Sequence, residues 1–222
     1  MFGLYRYRIN ELVKRQSIRN KIAQDLHDNV GSTLSSISVY SQVAKIYKQQ
    51  DKQENLADAL DKISSTSSEM ISEMNDIVWA INPRNDNMAT ILSRMESFAR
   101  PLLASKEIRF HLVCDPSLGS MHLEMTKRKN FYLIFKEAIN NALKYADCRN
   151  IWVNIELQDQ QLTLRVKDDG KGFDTGKVRF TNSLSGNGLR NMNLRATENR
   201  GTYTVESAFG LGTTITLRFP IP

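Results

Sequence analysis

The sequence has few of the residues that build cross-linked or metal-centred proteins. Its 222 residues include 2 cysteines, Cys114 and Cys148, and 3 histidines, His27, His111 and His122. The cysteines are far apart and have no companions at metal-ligand spacing, so a disulfide framework and a zinc site are both disfavoured. This usage is typical of reduced, buried thiols in a cytoplasmic protein.

Long apolar runs are also missing. No stretch of about 18 hydrophobic residues can be found, and there is no secretory signal pattern. The aromatic and basic opening, residues 1–8, is compatible with a segment just after a membrane span that this sequence lacks. The interpretation is the cytoplasmic portion of an inner-membrane protein, anchored only through a missing N-terminal segment.

Charge of one sign does not dominate. The 30 Lys and Arg residues against 24 Asp and Glu give a net charge of +6. The basic residues are scattered, and no basic run with interleaved aromatics occurs, so the sequence predicts no nucleic-acid partner.

What the sequence does have is helical periodicity over its first third. A stripe with steps of mostly four predicts one long helix up to about residue 49, and a heptad seam predicts a second, formed by Leu56, Leu60, Ile63, Ser67, Met70, Met74, Ile77 and Ile81. Two such helices form a hairpin too thin to bury both faces, so we expect a dimeric four-helix bundle. Pro83 ends the second helix.

The remaining chain alternates between helical and strand periodicity. Helices are predicted over 88–105, 126–146 and 188–200, and strands over 108–114, 151–157, 162–166, 202–207 and 213–219. The predicted fold class is α+β: a helical hairpin, then an α/β sandwich with a mixed sheet and helices on one face. The predicted domains are residues 1–85 and 86–222.

His27 lies between acids in the first helix. It follows Leu26 of the apolar stripe by one position, so it points about 100° away from that stripe, toward solvent. Asp28 could fix the imidazole tautomer and accept its proton, which would make His27 a nucleophile. By itself this motif is weak evidence for catalysis, and a solvated helix face is the simpler explanation of the same residues.

Three glycine clusters follow predicted strands or precede a helix. They are Asp168-Asp169-Gly170-Lys171-Gly172, Gly186-Asn187-Gly188-Leu189 and Gly210-Leu211-Gly212-Thr213. Each alone is typical of ordinary turns, although amides at a helix N-terminus can also hold a phosphate chain. Neither a P-loop nor a Rossmann unit is present.

A polar stripe marks the helix before these clusters. Glu137, Asn141 and Lys144 stand at i, i+4 and i+7, opposite the apolar face. They offer oxygen ligands for Mg²⁺ and a lysine for phosphate, as a nucleoside triphosphate requires, or they are simply solvated.

Taken in order, these motifs resemble a known family. Asn141-Ala142-Leu143-Lys144-Tyr145 and the three glycine clusters resemble the N, G1, G2 and C-terminal Gly-Thr boxes of the Bergerat ATPase superfamily. That superfamily includes gyrase, MutL, heat-shock chaperones and sensor histidine kinases. Asp25-Leu26-His27-Asp28 resembles the H-box of histidine kinases in the nitrate- and desaturase-sensor subgroup.

The resemblance implies an ATP-dependent kinase that phosphorylates its own His27, with Asp28 as the orienting acid. Mg²⁺ would be held by Asn141 with help from Glu137, and Asp168 would accept the adenine amino group. The other implied nucleotide-binding residues are Lys144, Gly170, Gly172, Gly186, Gly188, Leu189, Gly212 and Thr213. Gly170 and Gly172 would let adenine approach the backbone, while Gly186 and Gly188 would hinge a lid over roughly 174–187.

The implied partners are a second copy of the chain and the receiver domain of a response regulator, whose aspartate takes the phosphoryl group.

The sequence departs from the family pattern at two positions. Ser32 replaces a glutamine that relatives use to dephosphorylate the regulator, which predicts weak phosphatase activity, and Tyr145 replaces a common histidine. Two other classes share parts of the pattern: an anti-sigma-type serine kinase and a catalytically silent dimeric scaffold.

Overall fold

The structure is a computed structural model that describes residues 30–31, 33–177 and 187–221. By compactness the chain divides into two units, Met1–Ile81 and Asn82–Pro222. No helix in the described ranges is long and apolar enough to cross a membrane.

The described part of the first unit is a helical hairpin. Helix α1 runs through residues 33–49, and helix α2 spans Gln53–Ile81. A tight turn joins them, in which Asp51 adopts φ of 53° and the amide of Lys52 donates to the carbonyl of Tyr47 at 3.0 Å. The helices touch where the Lys62 ammonium lies 5.6 Å from the centre of the Tyr40 ring. The predicted break between two long helices is confirmed.

A capped turn follows α2. Pro83 opens a short 3-10 helix, Pro83–Asn85, and the side chain of Asn82 caps it. Asn87 then caps helix α3, Met88–Ala104, by accepting from the amide of Thr90 at 2.8 Å. Helix α3 buries one face, formed by Met88, Ile91, Met95, Ala99 and Leu103.

The second unit contains a five-stranded mixed sheet in the order β1-β2-β3-β5-β4. The strands are β1 Arg109–Cys114, β2 Asn150–Gln158, β3 Gln161–Asp168, β4 Thr202–Ala208 and β5 Gly212–Pro220. Strand β1 pairs parallel to β2, and the other neighbours are antiparallel. The β2–β3 hairpin turns through Asp159 and Gln160, both at positive φ as a type I′ turn requires.

Helices α3, α4 (Met125–Asn141) and α5 (Asn187–Glu198) pack on one face of this sheet. The inward residues of β2, Ile151, Val153 and Ile155, are buried, whereas Asn154 on the other side is exposed. Phe135 of α4 meets Phe98 of α3 edge-on, with ring centroids 6.4 Å apart. The predicted α+β class, with a mixed sheet and helices on one face, is confirmed.

The predicted helix 126–146 changes character near its end. After Asn141 the chain continues as a π-helix, Ala142–Ala146, and Asp147 closes it with φ of 53°. A π-helical turn changes the direction in which the following side chains point. Lys144 therefore does not continue the stripe of Glu137 and Asn141 with ordinary helical spacing.

Candidate active site

Asp168 lies at the end of β3 and is buried, 7% exposed. Its Oδ1 accepts hydrogen bonds from the amide of Gly170 at 2.9 Å and from the amide of Thr213 at 3.2 Å. Burial raises the pKa of Asp168, while these two amide bonds act in the opposite direction. Among the described residues no group donates to Oδ2, so this oxygen can accept a bond from a ligand.

The next residue has a different role. Asp169 is exposed and accepts from the amides of Arg149 and Asn150, each at 2.8 Å, and from the side-chain amide of Asn150 at 2.7 Å. These bonds lower the pKa of Asp169, although desolvation is the largest single influence and opposes them. Asp169 fastens the end of β3 to the start of β2, which leaves Asp168 as the carboxylate for a ligand.

The glycines around Asp168 are required by close approach of the backbone to itself. A Cβ at Gly170 would overlap the carbonyl of Ala146, and one at Gly172 would overlap the carbonyl of Ala208. A Cβ at Gly212 would overlap the carbonyl of Asp168. Gly172 and Gly212 also have φ of 60° and 75°, which side chains disfavour. The reasons expected from the sequence were tight turns and, at Gly170 and Gly172, approach of adenine to the backbone; these contacts of the backbone with itself are a further reason.

A hydroxyl pair connects the same loops. Ser207 Oγ accepts from the amide of Phe173 and donates to the carbonyl of Gly212, both at 2.9 Å, and lies 3.0 Å from Thr213 Oγ1. Sequence reasoning missed Ser207. It could have been found because it is a polar residue at a position that faces inward on β4, where exposed and less exposed residues alternate.

Glu137 and Asn141 lie one turn apart on α4 and face the start of α5. A Cβ at Gly188 would overlap Glu137 Oε1 and would lie 3.4 Å from Asn141 Nδ2. Gly188 therefore makes room for the two polar side chains of α4. The carboxylate also lies at the N-terminus of α5, where the helix dipole favours negative charge.

Tyr203 of β4 belongs to this neighbourhood. Burial raises its pKa, and the negative charge of Glu137 raises it further, so the phenol stays protonated. Its hydroxyl hydrogen is directed to Met192 Sδ, 3.9 Å away on α5. Tyr203 was not among the residues selected from the sequence.

The other candidates lie outside this cluster. Leu189 is half-buried on the first turn of α5, and Lys144 is exposed in the π-helical turn. Gly186, His27, Asp28 and Ser32 lie outside the described residues. Within the described ranges no group of three or more His, Cys, Asp or Glu side chains could hold a metal unaided.

The comparisons with known proteins agree with this architecture. Residues 126–222 match the family "Histidine kinase-, DNA gyrase B-, and HSP90-like ATPase", and residues 19–86 match the family "Histidine kinase". The matched ATPase domain implies use of ATP. The chain belongs to the histidine kinases.

Individual proteins similar to this chain are also histidine kinases. The chain is 28% identical to sensor histidine kinase YhcY of Bacillus subtilis (strain 168) and 27% identical to oxygen sensor histidine kinase NreB of Staphylococcus carnosus (strain TM300). The alignments cover 99% and 93% of this chain but 55% and 57% of those proteins. The chain thus spans little more than half the length of these relatives.

A solved structure shares the fold. The Acinetobacter baumannii histidine kinase AdeS superposes with a TM-score of 0.60 at 13% identity. The alignment covers 84% of this chain and 97% of that one.

Proposed function

We propose that this chain is the kinase portion of a two-component sensor, which transfers the γ-phosphoryl group of ATP to His27 and then to a response-regulator aspartate. The observation that carries the proposal is the meeting of Glu137, Asn141 and Gly188 at the start of α5. The ATPase match and the buried Asp168 at the end of β3 support it.

Asp168 is the residue we assign to adenine. Its Oδ1 is already held by two backbone amides, so the carboxylate is fixed and Oδ2 is left to accept the exocyclic amino group. The backbone contacts at Gly170, Gly172 and Gly212 keep this carboxylate and the surrounding loops in place.

Glu137 and Asn141 are the residues that would hold Mg²⁺. Their side chains converge at Gly188, and Mg²⁺ is usually bound through one or two protein groups, with substrate phosphates and water completing its shell. The cluster therefore fits the ion although it is not a complete metal cage. When bound, Mg²⁺ neutralises charge on the transferring phosphates.

The phosphates themselves would lie near the N-terminus of α5. Gly188 and Leu189 supply backbone amides there, and Lys144, with Gly186 as a lid hinge, completes the proposed set. His27 attacks the γ-phosphorus, an N–P bond forms, and the bond to the β–γ bridging oxygen breaks to release ADP. Asp28 receives the imidazole proton.

The assembly we propose follows the family. Residues 1–85 form the dimerisation and phosphotransfer domain, and residues 86–222 form the catalytic domain. Two copies pair through the α2 seam, and a receiver domain accepts the phosphoryl group. We also propose that this is the cytoplasmic portion of a longer inner-membrane sensor, since the relatives are longer.

Incubation with γ-labelled ATP tests the assignment of His27. We expect a label on the protein that is labile in acid and stable in base, and that is lost in His27→Gln. Acid-stable label on serine would instead indicate a serine kinase of the anti-sigma type. No label in the wild-type chain would indicate a silent scaffold.

The site assignment has its own test. Asn141→Asp and Asp168→Asn should each abolish labelling while the dimer persists in sedimentation. Asp159→Asn, an equivalent change in the distant β2–β3 turn, is the matched control and should label normally. Full labelling in either site variant contradicts the assignment.

Ser32 bears on a second activity, the dephosphorylation of the regulator. Because serine is short, we expect weak dephosphorylation of a phosphorylated regulator by this chain. Brisk dephosphorylation that collapses in Ser32→Ala would refute this expectation.

A further inference from the structure

The face of the sheet that α3, α4 and α5 leave uncovered has a concave site. Four residues line a cavity of about 340 Å³ there: Trp152, Asn154, Arg165 and Lys167. They come from two paired strands, with Trp152 opposite Lys167 and Asn154 opposite Arg165. The helices that carry Glu137 and Gly188 pack on the other face, so this cavity is separate from the proposed nucleotide site.

Trp152 forms a fixed wall of this cavity. The ring of His111, from the neighbouring strand β1, stacks against the indole with centroids 5.6 Å apart and 12° between the planes. The Lys167 ammonium lies 6.0 Å from the centre of the same indole. The indole therefore has a ring partner on one neighbouring strand and a cationic partner on the other.

The lining has positive charge without a counter-charge. Arg165 and Lys167 stand two positions apart on β3, and no carboxylate lines the cavity. Among the described residues neither cation has an ion pair, and the Asn154 amide has no hydrogen-bond partner. Glu156 and Glu206 share this face but lie outside the cavity, while Arg109 and Arg218 add further positive charge. Such a surface favours a ligand with carboxylates.

The distance between Arg165 and Lys167 limits which ligands with carboxylates can fit. Side chains two residues apart on a strand are separated by about 6.7 Å, which is also the repeat of same-side residues in any extended peptide. An acidic segment with carboxylates at alternate positions would therefore present one to Arg165, which can bind it bidentately, and one to Lys167.

We propose that this cavity docks an extended acidic segment of another protein, with the pattern acid-x-acid. No two acidic residues stand two positions apart in this sequence, so residues 1–222 do not themselves supply such a segment. Trp152 and Asn154 flank the two carboxylates, with the indole as an apolar wall and the amide as an additional donor.

Trp152 provides the measurement. The chain has 2 tryptophans, so in Trp79→Phe the fluorescence reports on Trp152 alone. The probes are the hexapeptide Thr-Glu-Thr-Glu-Thr-Thr, its isomer Thr-Glu-Glu-Thr-Thr-Thr with adjacent acids, citrate and inorganic phosphate. We expect a saturable change with the first peptide, several-fold weaker binding of the isomer, and loss of affinity with added salt.

Variants in the Trp79→Phe background locate the site. Arg165→Gln and Lys167→Gln should each weaken binding of the alternating peptide about tenfold. Arg218→Gln removes a cation from the same face outside the cavity and should have no effect. Circular dichroism and the urea midpoint check that each variant is folded.

Three results would overturn the proposal. One is no saturable fluorescence change with the alternating peptide, and another is equal binding of the isomer, citrate or phosphate, which would indicate an unspecific anion site. The third is an equal loss of affinity in Arg218→Gln, which would indicate general attraction by a basic surface.

Discussion

Helices α2 and α4 bury very different shares of their residues. Helix α4 has 17 residues, of which ten are buried, whereas α2 has 29 residues, of which Ala59, Asp76, Ile77 and Ala80 are buried. Seam residue Leu60 is 52% exposed. The difference teaches that the core around α4 is complete within one chain, while the seam of α2 still has apolar surface to cover. This supports the proposed dimer.

The largest effect is expected where burial is complete. Phe135→Ala removes a ring that is 0% exposed and contacts Phe98, so it should lower the free energy of unfolding of residues 82–222 by about 3–5 kcal/mol. Urea unfolding measures this. Leu157→Ala, at a 40% exposed position, is the control and should cost far less. A loss below about 1 kcal/mol for Phe135→Ala would contradict a close-packed α4 core.

A smaller loss of stability is expected in the loop that contains Gly172, where the backbone has positive φ. Gly172→Ala places a Cβ at φ of 60° and against the carbonyl of Ala208, which should cost about 1–3 kcal/mol and weaken nucleotide binding. Gly119→Ala is the matched control, because nothing lies within 4 Å of its Cβ. Urea unfolding and titration with a fluorescent ATP analogue measure both effects. Equal behaviour of the two variants would show that the loop tolerates a side chain.

A substitution in the α2 seam should weaken dimerisation without changing the stability of the second unit. Leu60→Asn should raise the dimer dissociation constant about tenfold or more, because each copy loses one apolar contact. The unfolding of residues 82–222 should not change. Sedimentation over a concentration series measures the constant, with Ala57→Asn, an exposed position beside the seam, as control. An unchanged constant would place the dimer contact elsewhere.

The smallest expected effect on stability concerns the thiol of Cys148, in the second unit. Burial and the negative charges of Asp168, Asp169 and Asp147 raise the pKa of Cys148 from 9.0 to about 11. Between these values the unfolded chain has already lost the proton that the folded chain keeps, so stability should fall as pH rises through this range. Below about pH 9 the contribution is fully present.

The comparison of Cys148→Ala with the wild-type chain isolates this contribution, because other groups titrating at high pH are common to both. Urea unfolding at pH 8 and pH 10 should show a smaller decline in the variant. Parallel declines would mean that the Cys148 thiol ionises equally easily in both states.

The elements of the fold could be predicted because their signals are local. The heptad seam, the change to period two at Ile108 and the stop at Pro83 are each visible within a few residues of chain. The order of the glycine clusters likewise identified the ATPase family, which the comparisons confirmed. The π-helical end of α4 was missed, since nothing in Ala142–Ala146 distinguishes it from an ordinary helical turn.

By itself, then, the sequence determined the succession of helices and strands, the family and a set of candidate site residues. Only the tertiary structure decided which of those residues meet. Thr213 reaches Asp168 across 45 positions of chain, Gly188 makes room for Glu137, and His111, Trp152 and Lys167 align across three strands. Strand register and helix packing set these contacts, and both depend on the burial of the whole core, which no local pattern encodes.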